Sequence, residues 1–165
     1  MAELTVLESK LGEVMGLAMA AQGAVEKIVQ LVEEEGVAGL VQELERVQRE
    51  AAETEERVTK RAEELDGKKT AILDKAREVE QEATEMMRTY LGSDADALDG
   101  FEFLTMAEAG EVGHWEIVRE LASKAGDQET IELAEWALPI QEGHLEAVRE
   151  GSLVLARDED PNATQ

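Results

Sequence analysis

Leu4, Leu7, Leu11, Val14, Ala18, Ala21, Val25, Ile28 and Val32 follow one another at intervals of three and four residues without a miss. A strand cannot keep such a set on one face, because its side chains alternate with a period of two. The spacing predicts a long amphipathic helix over residues 4–35, with Leu17, Ala24, Leu31, Met15 and Val29 widening the stripe to the breadth of a bundle core. Gly36, after three glutamates, is the expected C-terminal stop.

The same period returns down the chain. Leu40, Leu44, Val47, Ala51, Thr54, Val58, Ala62 and Leu65 form a second stripe, and so short a link at Gly36 predicts an antiparallel hairpin. Asp66-Gly67 marks a break. Ile72, Ala76, Val79, Ala83, Met86 and Tyr90 then predict a crossover helix, with continuation of the second helix past Gly67 as the alternative. Ser93 or Asp94 is the expected cap of a fourth helix, whose stripe reads Phe101, Leu104, Glu108, Glu111, Trp115, Val118, Ala122, Ala125. Gly126-Asp127 stops it and caps a fifth, with Ile131, Ala134, Leu138, Gln141, Leu145 and Val148 inward and Pro139 expected to kink it. No segment alternates β-branched residues, so the fold class is all-α: one domain over 1–156, with a disordered acidic tail over 157–165.

Charge and composition exclude several functions. With 39 acidic against 16 basic residues the net charge is -23, a field that repels nucleic acid and anionic lipid. There is no cysteine, hence no disulfide and no thiolate metal site. No apolar run is long enough for a membrane span, and Met1-Ala-Glu-Leu-Thr5 lacks a secretory pattern, so the expected location is cytoplasmic.

The chemistry is concentrated in the last two helices. Glu108 and Glu111 interrupt an apolar stripe, and a buried carboxylate is costly unless paired or metal-bound. The chain's two histidines occur in Glu111-Val-Gly-His114 and Gln141-Glu-Gly-His144. Glu-x-x-His on a helix puts a carboxylate and an imidazole on one face, as di-metal carboxylate bundles require. Folding back at Gly126 brings Glu108, Glu111, His114, Gln141, Glu142 and His144 into one zone, an oxygen and nitrogen donor set suited to iron, manganese or zinc. Trp115 falls level with Trp136, and Gly110, Gly113 and Gly143 suggest close helix approach or room for a ligand. Arg119 or Arg149 is the alternative partner for the two glutamates. The first two helices offer only Glu8, Glu13, Gln22, Gln48 and Glu55 at their margins, with Thr54 on the stripe. A full di-metal set is therefore not expected, and a mononuclear or degenerate site is.

From Leu40 to Val148 the chain resembles the ferritin-like superfamily, in particular the YciE/YciF-type ferritin-like stress proteins. The resemblance lies in a helix ending Leu65-Asp-Gly-Lys-Lys69, a crossover helix with Met86-Met87, the segment Val112-Gly-His-Trp-Glu-Ile117, and Leu121-Ala and Gly126-Asp127 before the last helix. It implies a ferritin-like antiparallel four-helix bundle with a crossover, a homo-oligomer (a dimer), and an iron or other metal site. His114 and Glu116 match the family's helix motif; Gly113 stands where the family has Glu, with Glu111 as substitute. Glu142 and Glu146 fit the acidic positions loosely, while Pro139 and Gln141 depart, which bears on ferroxidase-type activity more than on fold. The competing expectation is a non-catalytic helical oligomer or interaction protein, with the first helix as its seam.

Overall fold

A computed structural model describes residues 2–164. Met1 and Gln165, the first residue of the expected domain and the last of the expected tail, lie outside the described residues. Five α-helices follow in order: α1 Val6–Glu34, α2 Val41–Glu64, α3 Lys69–Tyr90, α4 Ala97–Ala125 and α5 Gln128–Asp158, with a 3₁₀ turn at Ala38–Leu40 and no strand among the described residues.

Local chemistry sets the boundaries. Thr5 and Glu8 form a reciprocal capping box at the start of α1, and Asp96 and Asp99 form another at α4. The cap of α4 is thus Asp96 rather than Ser93 or Asp94. The break at Gly67 is real: the residue has a φ of 70°, in the left-handed region that favours glycine, so α2 and α3 are separate helices. Gly126, with a φ of 68°, ends α4 in the same way. The helix α5 continues through Pro139 and includes Arg157 and Asp158, assigned to the tail on sequence alone.

Cross-helix contacts fix the directions. Gln22 of α1 meets Glu55 of α2, and Met15 meets Thr59, so these helices are antiparallel. Gly12 lies against Ile72 and Lys75, and Gly16 against Ala76 and Val79, so α3 runs parallel to α1. Gly100 of α4 sits on Ile28, while His114 reaches Glu13; α4 is antiparallel to α1. Thr105 meets Ser152 and Glu108 meets Gln141, making α5 antiparallel to α4. Finally, Glu50 of α2 contacts His144 and Arg61 contacts Thr130, so α2 and α5 are antiparallel too. The apolar stripe of α1 is consumed within the chain: Leu11, Val14, Ala18, Ala21, Val25, Ile28 and Val32 are buried as the helix packs against α2, α3 and α4. It is not a free oligomer seam.

Two apolar clusters result. One gathers Val25, Ile28, Leu44, Phe101, Leu104 and Val148; the other Leu11, Val58, Ile72, Trp115, Val118 and Leu138. The foot of α2 is pinned to the start of α5 by Arg61, whose guanidinium donates to both Asp127 oxygens at 2.9 and 3.0 Å and to Thr130 Oγ1 at 2.9 Å. Asp127 also caps α5 through Thr130 N–H at 3.1 Å. Asp127→Ala removes the cap and the anchor together, with an expected loss of about 1–2 kcal/mol in urea unfolding. Asp127→Asn, which keeps an acceptor for Thr130, should recover part of it; equal losses would contradict the capping role.

Candidate functional site

Between the two apolar clusters lies a layer of buried polar side chains. Glu108 and Glu111 come from α4, Gln141 and His144 from α5, and Thr54 from α2; all are buried, Glu108 to 0% exposure. The helix period explains the placement: 104, 108, 111 and 115 fall on one side of α4, so the carboxylates share the face of Leu104 and Trp115.

The contacts form a line across three helices. Gln141 donates its amide N–H to Glu108 Oε2. His144 Nδ1 lies 3.5 Å from the same oxygen, and His144 Nε2 donates to Glu50 Oε2 at 2.7 Å. Glu50 in turn accepts from Arg46 Nη1 at 3.2 Å, near the surface. Burial disfavours the imidazolium of His144, but the bonds and charges of Glu108 and Glu50 outweigh it and raise its pKa. Burial, and then the negative charge of Glu108, push the Glu111 carboxyl well above its usual range. Among the described residues, two buried side-chain atoms have no hydrogen-bond partner: Glu108 Oε1, and Trp115 Nε1 one turn along α4 from Glu111.

Four of the six residues expected from sequence are therefore brought together: Glu108, Glu111, Gln141 and His144. The other two are not. Glu142 is exposed. His114 is half-buried on a different side of α4, donating from Nδ1 to Gly110 O at 2.8 Å, with Nε2 3.7 Å from Glu13. The pair Glu111 and His114 thus shares a motif but not a pocket. Arg119 and Arg149, the alternative partners of the glutamates, are both exposed. Trp115 and Trp136 belong to one apolar cluster, but it is the Arg57 guanidinium that stacks on Trp136, 4.1 Å from its ring centre.

Sequence reasoning missed Glu50. It precedes the stripe residue Ala51, and the signal that finds it is the pairing of α2 with α5, which no single-helix pattern carries. Of the two expectations for the glycines, close helix approach fails. A Cβ at Gly110, Gly113 or Gly143 would meet nothing within 4 Å, whereas close approach occurs at Gly12, Gly16, Gly100 and Gly151.

A metal ion is what the resemblance implies, and Glu108, Glu111 and His144 are the expected donors that lie in the buried layer. Glu108 Oε1 is a buried acceptor without a hydrogen-bond partner, burial and the charge of Glu108 raise the pKa of Glu111, and His144 stands beside Glu108. Among the described residues no group of three or more His, Asp or Glu side chains is placed so that it could hold a metal ion. Compared with protein-family models, curated proteins and solved structures, the chain gives no match.

Proposed function

We propose that this chain is a ferritin-like helical protein with an altered site for a divalent cation (iron, manganese or zinc) in its interior. The observation that carries the reading is Glu108 Oε1, fully buried and unpartnered beside the buried carboxyl of Glu111. Glu108 and Glu111 would hold the cation, with His144 and Gln141 orienting Glu108. A bound cation would supply the positive charge the layer lacks, and Lewis-acid or redox chemistry according to the metal. This chain's own residues enclose the layer between two apolar clusters, and His144 links it to Glu50, which is only partly buried.

The helix directions support the fold part of the reading. Since α1 and α5 run one way and α2 and α4 the other, the chain must traverse the length of the assembly between α2 and α4. α3 makes that traverse, in the manner of a four-helix bundle with one long crossover.

Chelator-stripped protein titrated with Fe(II), Mn(II) or Zn(II) should take up about one ion per chain and melt higher, since a ligand of the native state stabilises it by about 2.7 kcal/mol at a hundredfold excess over Kd. Glu108→Gln and Glu111→Gln should abolish uptake, while His114→Ala and Glu142→Ala leave it intact. Zero stoichiometry with no change in melting would sink the reading.

A second reading, a non-catalytic helical interaction protein that forms a homo-oligomer, is favoured by a different observation. Met86 and Tyr90 are exposed on α3, Met106 and Ile117 on α4, with Val6 on α1 and Leu153 and Val154 on α5 exposed as well. Such a contact would use these exposed side chains and not the central stripe of α1, which is buried within the chain.

A further inference from the structure

The helix α4 carries two apolar stripes, and the core consumes only one. Phe101, Leu104, Trp115, Val118 and Ala122 face inward and are buried. With about 3.6 residues per turn, Met106, Gly110, Gly113 and Ile117 fall together on the opposite side. Met106 and Ile117 are exposed, and a Cβ at either glycine would meet nothing within 4 Å. The stripe widens towards α3. Phe103, a turn before Met106, meets the Tyr90 ring at 5.8 Å between centroids, and Met86 stands one turn back from Tyr90; both α3 residues are exposed. The result is an apolar strip about 16 Å long from Met106 to Ile117, with large side chains at its ends and a shallow notch at the glycines.

The charges beside this strip differ from those elsewhere. On α2 and early α3, carboxylates pair within their own helix: Glu43 and Glu50 with Arg46, Glu53 with Arg57, Asp74 with Arg77, Glu78 with Lys75. From Thr89 to Val118 no Lys or Arg occurs. Glu102, Glu116 and Glu120 are exposed on one flank of the strip, and Glu82 and Glu85 border Met86 and Tyr90 on the other. None of the five makes a salt bridge among the described residues. The cations nearest in sequence, Arg88 and Arg119, are turned away from the strip by the helical period.

We infer that this second face of α4 docks an amphipathic helix of another protein, one whose apolar stripe is flanked by Lys or Arg. The inference rests on the interaction reading above and replaces the second copy with a basic partner. Apolar side chains of such a helix cover Met86, Tyr90, Met106 and Ile117, with a bulky one seated over the glycines. Its cations supply what the carboxylates on both flanks lack. A second copy would bring the same carboxylates to the same strip, with a net charge of -23 of its own, so like charges would meet.

The probe is a fluorescent three-heptad peptide with Leu at the a and d positions and Lys elsewhere, titrated with the full chain by anisotropy. A scrambled peptide of the same composition measures attraction by bulk charge alone and should bind at least about tenfold more weakly. Gly110→Leu fills the notch without meeting a neighbour, and Ile117→Ser removes one apolar end; each should weaken the heptad peptide about tenfold. Glu116→Lys with Glu120→Lys should do the same. Glu146→Lys with Glu150→Lys, an equal change of charge at equal spacing on the exposed side of α5, should leave affinity within about twofold. Equal binding of the two peptides, or equal effects of the two charge reversals, would overturn the inference. Sedimentation of the chain alone separates the failures. A dimer that Gly110→Leu dissociates gives the strip to a second copy, overturning the basic partner and leaving the interaction reading standing. A monomer that binds neither peptide overturns both.

Discussion

Gly16→Val should destabilise the chain by about 3 kcal/mol or more, at the upper end of what overpacking does to a core. A Cβ at Gly16 would stand 2.3 Å from the carbonyl oxygen of Ala76 and 2.8 Å from Val79 Cβ. The first of these is backbone, held in place by the buried Ile72 and Ala76, so α3 would have to lift off α1. Gly113→Ala is the matched contrast. It also sits inside a helix, but its Cβ would meet nothing, so the substitution should raise stability by about 0.5–1 kcal/mol through helix propensity and a less flexible unfolded chain. Urea midpoints by circular dichroism measure both. Shifts of the same sign would contradict the close α1–α3 contact at Gly16.

The second large effect concerns the buried carboxyl. In chelated protein at pH 8, Glu111→Leu should stabilise the fold by about 2 kcal/mol, in the range seen when buried ionic groups give way to apolar ones of similar volume. The pH dependence follows from the same cause. Because the folded-state pKa of Glu111 is raised, the native state holds a proton that the unfolded state has released, from the ordinary carboxyl range near 4.3 upward. Stability therefore falls as pH rises through that window. His144 acts in the same direction: its pKa is raised, so its contribution is complete below about 6.5 and is lost as pH rises through the folded value. Asp127 acts oppositely. Burial alone would raise its pKa, but the Thr130 bonds and Arg61 lower it, so its contribution holds above about 3.9 and fails in acid. The metal-free protein should thus melt higher at pH 6 than at pH 8.5, with Glu111→Leu removing much of that slope. A melting temperature that climbs from pH 6 to 8.5 would contradict the burial of Glu111.

Helical period was legible because each stripe lies in one contiguous segment. Leu44 to Ala62 on α2 and Phe101 to Ala122 on α4 are buried as their spacing predicts, Glu108 and Glu111 among them. The start of α5 was legible for a similar reason, since Gly126 and Asp127 act on their own backbone. What periodicity does not carry is the identity of the neighbour. Met86 and Tyr90 continue the stripe of α3, yet they remain exposed: the second half of α3 turns Ala83 and Met87 towards α1, and Met86 and Tyr90 fall to the outside of that contact. Equal spacing from the Gly126 turn located His144 and Gln141 near Glu108 correctly, but it put His114 in the same zone, when rotation about α4 carries that ring towards α1. Glu50 needed the meeting of α2 and α5, which only the full topology supplies.

That meeting also bears on how the chain assembles. The α1–α2 and α4–α5 pairs are each joined by a short turn and can zip up from neighbouring sequence, whereas Glu50 and His144 are 94 positions apart. Contacts of such separation carry the loop-closure entropy that slows folding, so they form after the local ones. The hydrogen bond from His144 to Glu50, with Glu108 behind it, is made only once the two hairpins have docked, and sliding either by one turn would strand a charged group in the apolar clusters. The polar layer therefore acts as a key for the register between the halves, completed late and in a single arrangement.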